Sequence, residues 1–149
     1  MPVDEYDRRV LAALLENARA SADELGDIAG VTPETASWHR RTLEATGVIE
    51  TYRPRLDYDA LGYDLVGVLR IDVAETEARE AVVAELCAGG PLHSVYEVAG
   101  PSDVVAVGRF RDATDLASWC RSLRTDPRIG SVGASTGRAL SEFDQFVPE

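Results

Sequence analysis

Residues Asp7 to Ile49 read DRRVLAALLENARASADELGDIAGVTPETASWHRRTLEATGVI, and this stretch decides the fold of the first third of the chain. It holds three helical periodicities separated by two tight gaps. From about Asp4 to Asn17, Tyr6, Val10 and Leu14 recur at i+4, and Leu11 and Leu15 widen the apolar stripe. Asp4 or Asp7 can cap that first helix and favour its positive end. The second helix opens on Ser21-Ala22-Asp23-Glu24, a capping box, is expected to bury Leu25 and Ile28, and stops at Gly30. The third takes Thr32 as N-cap with Pro33 in its first turn, where no amide donor is needed. It is expected to bury Ala36 and Leu43 and to stop at Gly47, with Val48 making the apolar contact just beyond. Gly30-Val31-Thr32 is a turn of the length that sets two helices at a steep angle. A helix-turn-helix of this kind places its last helix in the major groove of DNA.

Downstream, Val48 to Tyr52 and Leu56 to Tyr58 flank Arg53-Pro54-Arg55, which predicts a β-hairpin and so a winged helix. The second half changes rhythm. Leu65 to Val73 alternates and is β-branched, a strand. Glu75 to Cys87 is amphipathic, with Ala78, Val82, Val83 and Leu86 on one face. His93 to Ala99 and Val104 to Phe110 read as strands around the turn Gly100-Pro101-Ser102-Asp103. Asp112 or Thr114 caps a helix that buries Leu116, Trp119, Cys120 and Leu123, and Ile129 to Ala139 is a fourth strand. The order βαββαβ is the ferredoxin-like arrangement. The expected class is α+β: a winged helix-turn-helix over residues 1–58, a hinge over 59–63, and a ferredoxin-like domain over 64–149. Both of its helices cover one face of the sheet, so a partner subunit is the expected cover of the other. In the tail, Phe143 and Phe146 are expected to pack on the domain or on a partner.

Composition constrains the partners. The 149 residues carry a formal net charge of −11, the wrong sign for a general nucleic-acid binder. All basic side chains other than His are Arg. Adaptation to a salty interior and a GC-rich genome both fit, the former better. The charge is uneven. From Ser37 to Arg55, Arg40, Arg41, Arg53 and Arg55 face only Glu44 and Glu50, so the one basic strip coincides with the third helix and the segment just after it. No apolar run reaches the ~20 residues of a membrane span. The acidic start MPVDEYDRR is not a signal peptide, so a cytoplasmic location is expected. Cys87 and Cys120 are far apart on apolar helix faces and read as small buried hydrophobes. His39 and His93 form no cluster with metal-ligand spacing, so no metal or cofactor is expected.

Several short stretches resemble the leucine-responsive regulatory protein (Lrp/AsnC) family. They are Asp7-Arg8-Arg9 before Leu11 and Leu14-Leu15, Asn17-Ala18-Arg19-Ala20-Ser21, Glu24-Leu25, Gly30-Val31-Thr32, Leu43-Glu44 with Gly47-Val48-Ile49, and the hinge Leu56 to Gly62. The resemblance spans nearly the whole chain. It implies a transcription regulator that binds double-stranded DNA as a homodimer or a larger ring of dimers. It also implies a C-terminal domain of the RAM type that oligomerises and binds a small effector, often an amino acid. Two stretches depart from the family. His39, Arg40 and Thr42 stand where it carries Arg, an apolar residue and Arg. Gly100-Pro101-Ser102-Asp103 stands where it carries Gly-Asp-x-Asp.

With Ala36 and Leu43 inward, the third helix turns Glu34, Ser37, Trp38, Arg41 and Ala45 outward. Arg41 is the first candidate for a base contact, because its fork matches guanine O6 and N7. Thr35 and Ser37 can take bases or phosphates. Trp38 can stack on sugars and thymine methyls or pack against the second helix or the wing. His39 and Arg40 flank the backbone, Thr32 is a cap with a phosphate contact second, and Arg53 and Arg55 suit phosphates or the minor groove. For an amino-acid effector, Asp103 offers a carboxylate to the ammonium, and Gly100, Ser102, Ser135 and Thr136 offer donors to the carboxylate; ordinary turn chemistry explains the same residues. The alternative is an enzyme like the siroheme decarboxylases, which resemble this two-domain layout, with His93, Arg70 and Arg109 on strands of the sheet.

Overall fold

Three helices precede every strand: α1 (Glu5–Glu16), α2 (Ala22–Ala29) and α3 (Pro33–Ala45). A computed structural model describes residues 3–142 and 146–148. Contacts divide the chain into two units, one running up to Arg55 and joined by the residues from Glu142 onward, the other Leu56–Ser141.

The helical unit starts where its capping residues predict. Asp4 accepts from the Asp7 amide and Asp7 reciprocates, and Ser21 and Glu24 do the same for α2, so each helix start has two amide donors satisfied by side chains. Gly30 ends α2 at φ 74°, a left-handed conformation open to glycine. Val10, Leu14, Leu25 and Leu43 meet in the core with Ala13, Ala20, Ala29 and Ala36. Four alanines let the helices approach closely. Gly26 takes this furthest: a Cβ there would lie 2.8 Å from the Val31 carbonyl oxygen. Arg9 Nη1 donates to the Ala29 carbonyl oxygen at 3.2 Å, tying α1 to the negative end of α2.

Three expectations for this unit need correction. Ile28 is exposed, because the buried stripe of α2 runs through Leu25, Gly26 and Ala29. After α3 it is Ile49, not Val48, that packs on the core, its amide donating to the Leu43 carbonyl at 3.0 Å. The hairpin expected over residues 48–58 does not form; among the described residues the segment pairs with no strand. Its second arm is lost to a local turn. Asp57 Oδ1 accepts from the Ala60 amide at 3.0 Å, and the Tyr58 carbonyl accepts from Leu61 and Tyr63.

The second unit holds β1 (Leu65–Val73), α4 (Arg79–Cys87), β2 (Leu92–Glu97), β3 (Val104–Phe110), α5 (Ala113–Arg124) and β4 (Ile129–Gly137). A short 3-10 turn, Thr76–Ala78, leads into α4 in place of the longer helix expected there. The sheet is antiparallel throughout, in the order β2-β3-β1-β4, which is the ferredoxin-like topology. Leu69 and Ile71 of β1 alternate with outward residues, as do Val104, Ala106 and Phe110 of β3. They form one core with Val82, Leu86, Leu116 and Cys120 from the helices. Val66, Val68, Val105 and Val107 lie on the opposite face, half-buried. Cys120 is buried and its thiol is pushed up by that burial, whereas Cys87, at the last position of α4, is exposed, contrary to expectation. β4 ends at Gly137, two residues short of expectation. Phe146 is exposed instead of packed, and Phe143 lies outside the described residues. Among the described residues no helix is long and apolar enough to cross a membrane.

Candidate nucleic-acid interface

The face of α3 away from the core is set by its cap. Thr32 Oγ1 accepts from the Thr35 amide at 3.3 Å, and the two hydroxyls lie 3.1 Å apart, so Thr32 is held as a cap. From that start Ala36, His39 and Leu43 fall inward. Thr35, Trp38 and Arg41, at spacings of three, fall outward, with Trp38 55% exposed. Arg41 Nε donates to the Ser37 carbonyl at 3.3 Å. That bond steadies the stem of an exposed side chain. Ser37 and Arg40 are half-buried, and Arg40 Nε lies 3.8 Å from Glu44 Oε1. Arg53 and Arg55 are exposed on the irregular segment after α3, not on the turn of a hairpin.

His39 is the correction that matters most. The sequence puts it among the DNA contacts, but it is 6% exposed and cannot flank a backbone. Its Nδ1 donates to Asp7 Oδ1 at 2.6 Å, inside the core between α1 and α3. Burial alone would raise the Asp7 carboxyl. The Asp4 amide and the His39 hydrogen bond and attraction outweigh burial and hold it below the ordinary carboxylate range. Trp38 sits edge-on to the His39 ring at a centroid distance of 5.0 Å, and Tyr6 flanks it at 6.0 Å. The chain of contacts from Asp4 through Asp7 and His39 to Trp38 fixes the outward indole from within. Ligand atoms of Asp4, Asp7 and His39 cluster within 4.8 Å, but the capping box and the histidine already use those oxygens. Sequence reasoning missed this pair. Its signal is a histidine at the middle of the stripe Ala36, His39, Leu43.

A second contact replaces the missing wing. Tyr52 donates its hydroxyl to Glu44 Oε1 at 2.8 Å, tying the segment after α3 back to that helix. Burial, then the Glu44 carboxylate, push its pKa up to about 12.

In the other unit, Asp103 accepts from the Val73 amide at 2.8 Å and pairs with Arg79. Its carboxylate therefore holds the turn before β3 to the end of β1. Ser135 accepts from Arg70 Nη2 at 3.3 Å, and Thr136 and Gly100 are exposed.

The N-terminal residues 3–50 match the family model described as winged helix-turn-helix DNA-binding. An HTH-type transcriptional regulator of Pyrococcus furiosus is 28% identical over 83% of this chain and 82% of its own. The same fold occurs in E. coli AsnC, with a TM-score of 0.88, 23% identity and coverage of 99% of this chain and 100% of that one. The chain is thus similar to helix-turn-helix transcriptional regulators and has the fold seen in AsnC. A transcriptional regulator of Neisseria meningitidis in complex with L-Met shares this fold with a TM-score of 0.90, at 19% identity over 99% of this chain and 97% of that one. The three residues of the enzyme alternative are not all brought together. His93 and Arg109 line one cleft, but Arg70 does not, and the curated relative bears a regulator's name.

Proposed function

We propose that this protein is a homodimeric, small-molecule-modulated transcription regulator that reads DNA with the Thr35, Trp38 and Arg41 face of α3. The observation that carries the reading is the division of α3. One face is locked into the core through His39, and the other presents an exposed indole and an exposed arginine, with Arg53 and Arg55 exposed further along the chain. Arg41 can bridge a guanine edge in the major groove, and the Trp38 ring can contact a thymine methyl or a sugar. Arg53 and Arg55 take phosphates, and Arg40, paired with Glu44, serves as a second-rank contact. On a chain of net charge −11 the phosphate contacts are few, so base contacts carry a large share of the affinity.

The open sheet face, with Val66, Val68, Val105 and Val107, is the proposed homodimer contact. For an amino-acid effector, of the kind bound in the Neisseria relative, Gly100, Ser102, Ser135 and Thr136 remain the proposed contacts. Asp103 would have to leave Arg79 to join them. A cytoplasmic location accords with this role.

Genome-wide footprinting of the wild type against Arg41→Ala tests the reading. Loss of about 1–3 kcal/mol of affinity at specific sites, with relaxed preference at one base pair, is expected. Equal occupancy for the two proteins would show that α3 is not the reader.

A further inference from the structure

Arg9, Arg40 and Arg111 each stand four positions from an acid that faces them. Two of these pairs close into hydrogen bonds, Arg9 on Glu5 and Arg111 on Asp115, the latter at 3.2 Å. The third does not. Arg40 Nε and Glu44 Oε1 stay 3.8 Å apart, beyond hydrogen-bond length. What differs there is Tyr52, whose hydroxyl donates to the same Glu44 oxygen at 2.8 Å. We propose that Tyr52 is a positioning residue for DNA binding: it holds Glu44 off Arg40 and so keeps the Arg40 guanidinium for a DNA phosphate. The proposal rests on the DNA reading proposed above and adds to it a residue that need not touch the duplex.

Competition for one carboxylate carries the argument. A guanidinium–carboxylate hydrogen bond is charge-assisted and stronger than a neutral one, so an Arg one turn from a Glu closes on it unless the acid is held elsewhere. Here the acid is held, and the arginine shows it. Arg40 Nε is buried and, among the described residues, has no hydrogen-bond partner. Open buried donors are rare in folded proteins and call for an explanation. The Arg40 side chain is still 35% exposed, the pattern of an arginine whose stem is covered while its head meets solvent. On α3 it follows the inward His39 and precedes the outward Arg41, at the flank of the reading face. A helix in the major groove meets phosphates there more than bases. On a chain of net charge −11, a loose carboxylate at that flank would cancel Arg40 and repel the duplex. Tyr52, Glu44 and Arg40 all belong to the helical unit, so the arrangement is complete within it.

A phosphate contact is independent of sequence, so the test uses the full chain and a random-sequence DNA duplex, read by fluorescence anisotropy over a series of KCl concentrations. Arg40→Gln should make the plot of log K against log[KCl] shallower by about 0.9, the loss of one phosphate contact. Tyr52→Phe frees Glu44 to close on Arg40 and should produce the same change, and the two together no more than either alone. In a Glu44→Gln background Tyr52→Phe should leave the slope where it was, because no carboxylate remains to close. A latch that only braced the fold would behave differently: glutamine still accepts the tyrosine hydroxyl, so Tyr52→Phe would then weaken binding in both backgrounds. All three side chains are about a third exposed or more, so the variants keep the fold. Three results each overturn the proposal: an unchanged slope in Arg40→Gln, an unchanged slope in Tyr52→Phe, or an equal effect of Tyr52→Phe with Glu44 and with Gln at that position. A wild type that binds no duplex overturns the DNA reading itself, whereas binding with unchanged slopes overturns this inference alone.

Discussion

His39 sits one residue from the exposed Trp38, yet its ring spends its hydrogen bond inside the core on Asp7. Removing either partner leaves a buried polar group unmatched. His39→Ala should therefore destabilise the helical unit by about 2–5 kcal/mol, read from urea unfolding. Acid should act on the same bond. The folded Asp7 carboxyl is held below its ordinary value, so its contribution is complete above the unfolded value and is lost as pH falls through the folded one. The stability gap between wild type and Asp7→Asn should shrink as pH drops below about 4. A gap that stays constant from neutral pH to that range would remove Asp7 from the account. The periodicity shows that position 39 lies near the inward stripe, but not what awaits it there. Asp7 lies 32 residues away, and nothing local to either residue announces a pair across helices.

At the scale of elements, legibility tracks local chemistry. The capping boxes at Asp4 and Ser21, and the limits of β1 and β3, are readable because each depends on a few adjacent residues or a strict alternation. The wing is not, because a hairpin needs two arms and Asp57 diverts the second into a turn. Tyr52 then finds Glu44 instead of a cross-strand neighbour. That latch has a measurable edge. The raised Tyr52 value means its contribution is complete below about pH 10 and is lost as pH rises through about 12. One of the five tyrosines should ionise late in an ultraviolet titration, and Tyr52→Phe should delete that step. The turn between α2 and α3 has a sharper constraint. A Cβ on Gly26 meets backbone at 2.8 and 3.2 Å, which cannot rotate away as a side chain can. Gly26→Ala should cost about 1–3 kcal/mol and lower DNA affinity by misplacing α3, with thermal melting and a mobility-shift assay as the two readouts. A variant as stable as wild type would mean the helices can part without loss.

For the whole molecule, assembly decides how the acidic chain meets a duplex. If the valine-rich sheet face is the dimer contact, Val107→Arg should halve the mass seen by light scattering while α1–α3 keep their unfolding midpoint. Unchanged mass would move the contact elsewhere. The charge contrast is plain from composition: the Arg excess between Ser37 and Arg55 stands against a net charge of −11. The cleft around Arg109 is not. It is assembled from Tyr58, His93, Arg109 and Trp119, residues up to 61 positions apart, which only the register of the sheet brings together.

The strand order β2-β3-β1-β4 also sets a timetable. β1 lies between two neighbours that are both made later, and its pairing with β4 joins Asp72 to Ser131. On a ribosome adding ~5–20 residues per second, roughly three to thirteen seconds separate the end of β1 from the end of β4. The first 55 residues can close their three-helix core during that wait, since all its partners are already present. β1, with Leu69 and Ile71 on one side and Val66 and Val68 on the other, emerges with both edges bare. The interval before residue 137 is the period when this chain is most open to aggregation and most in need of a chaperone.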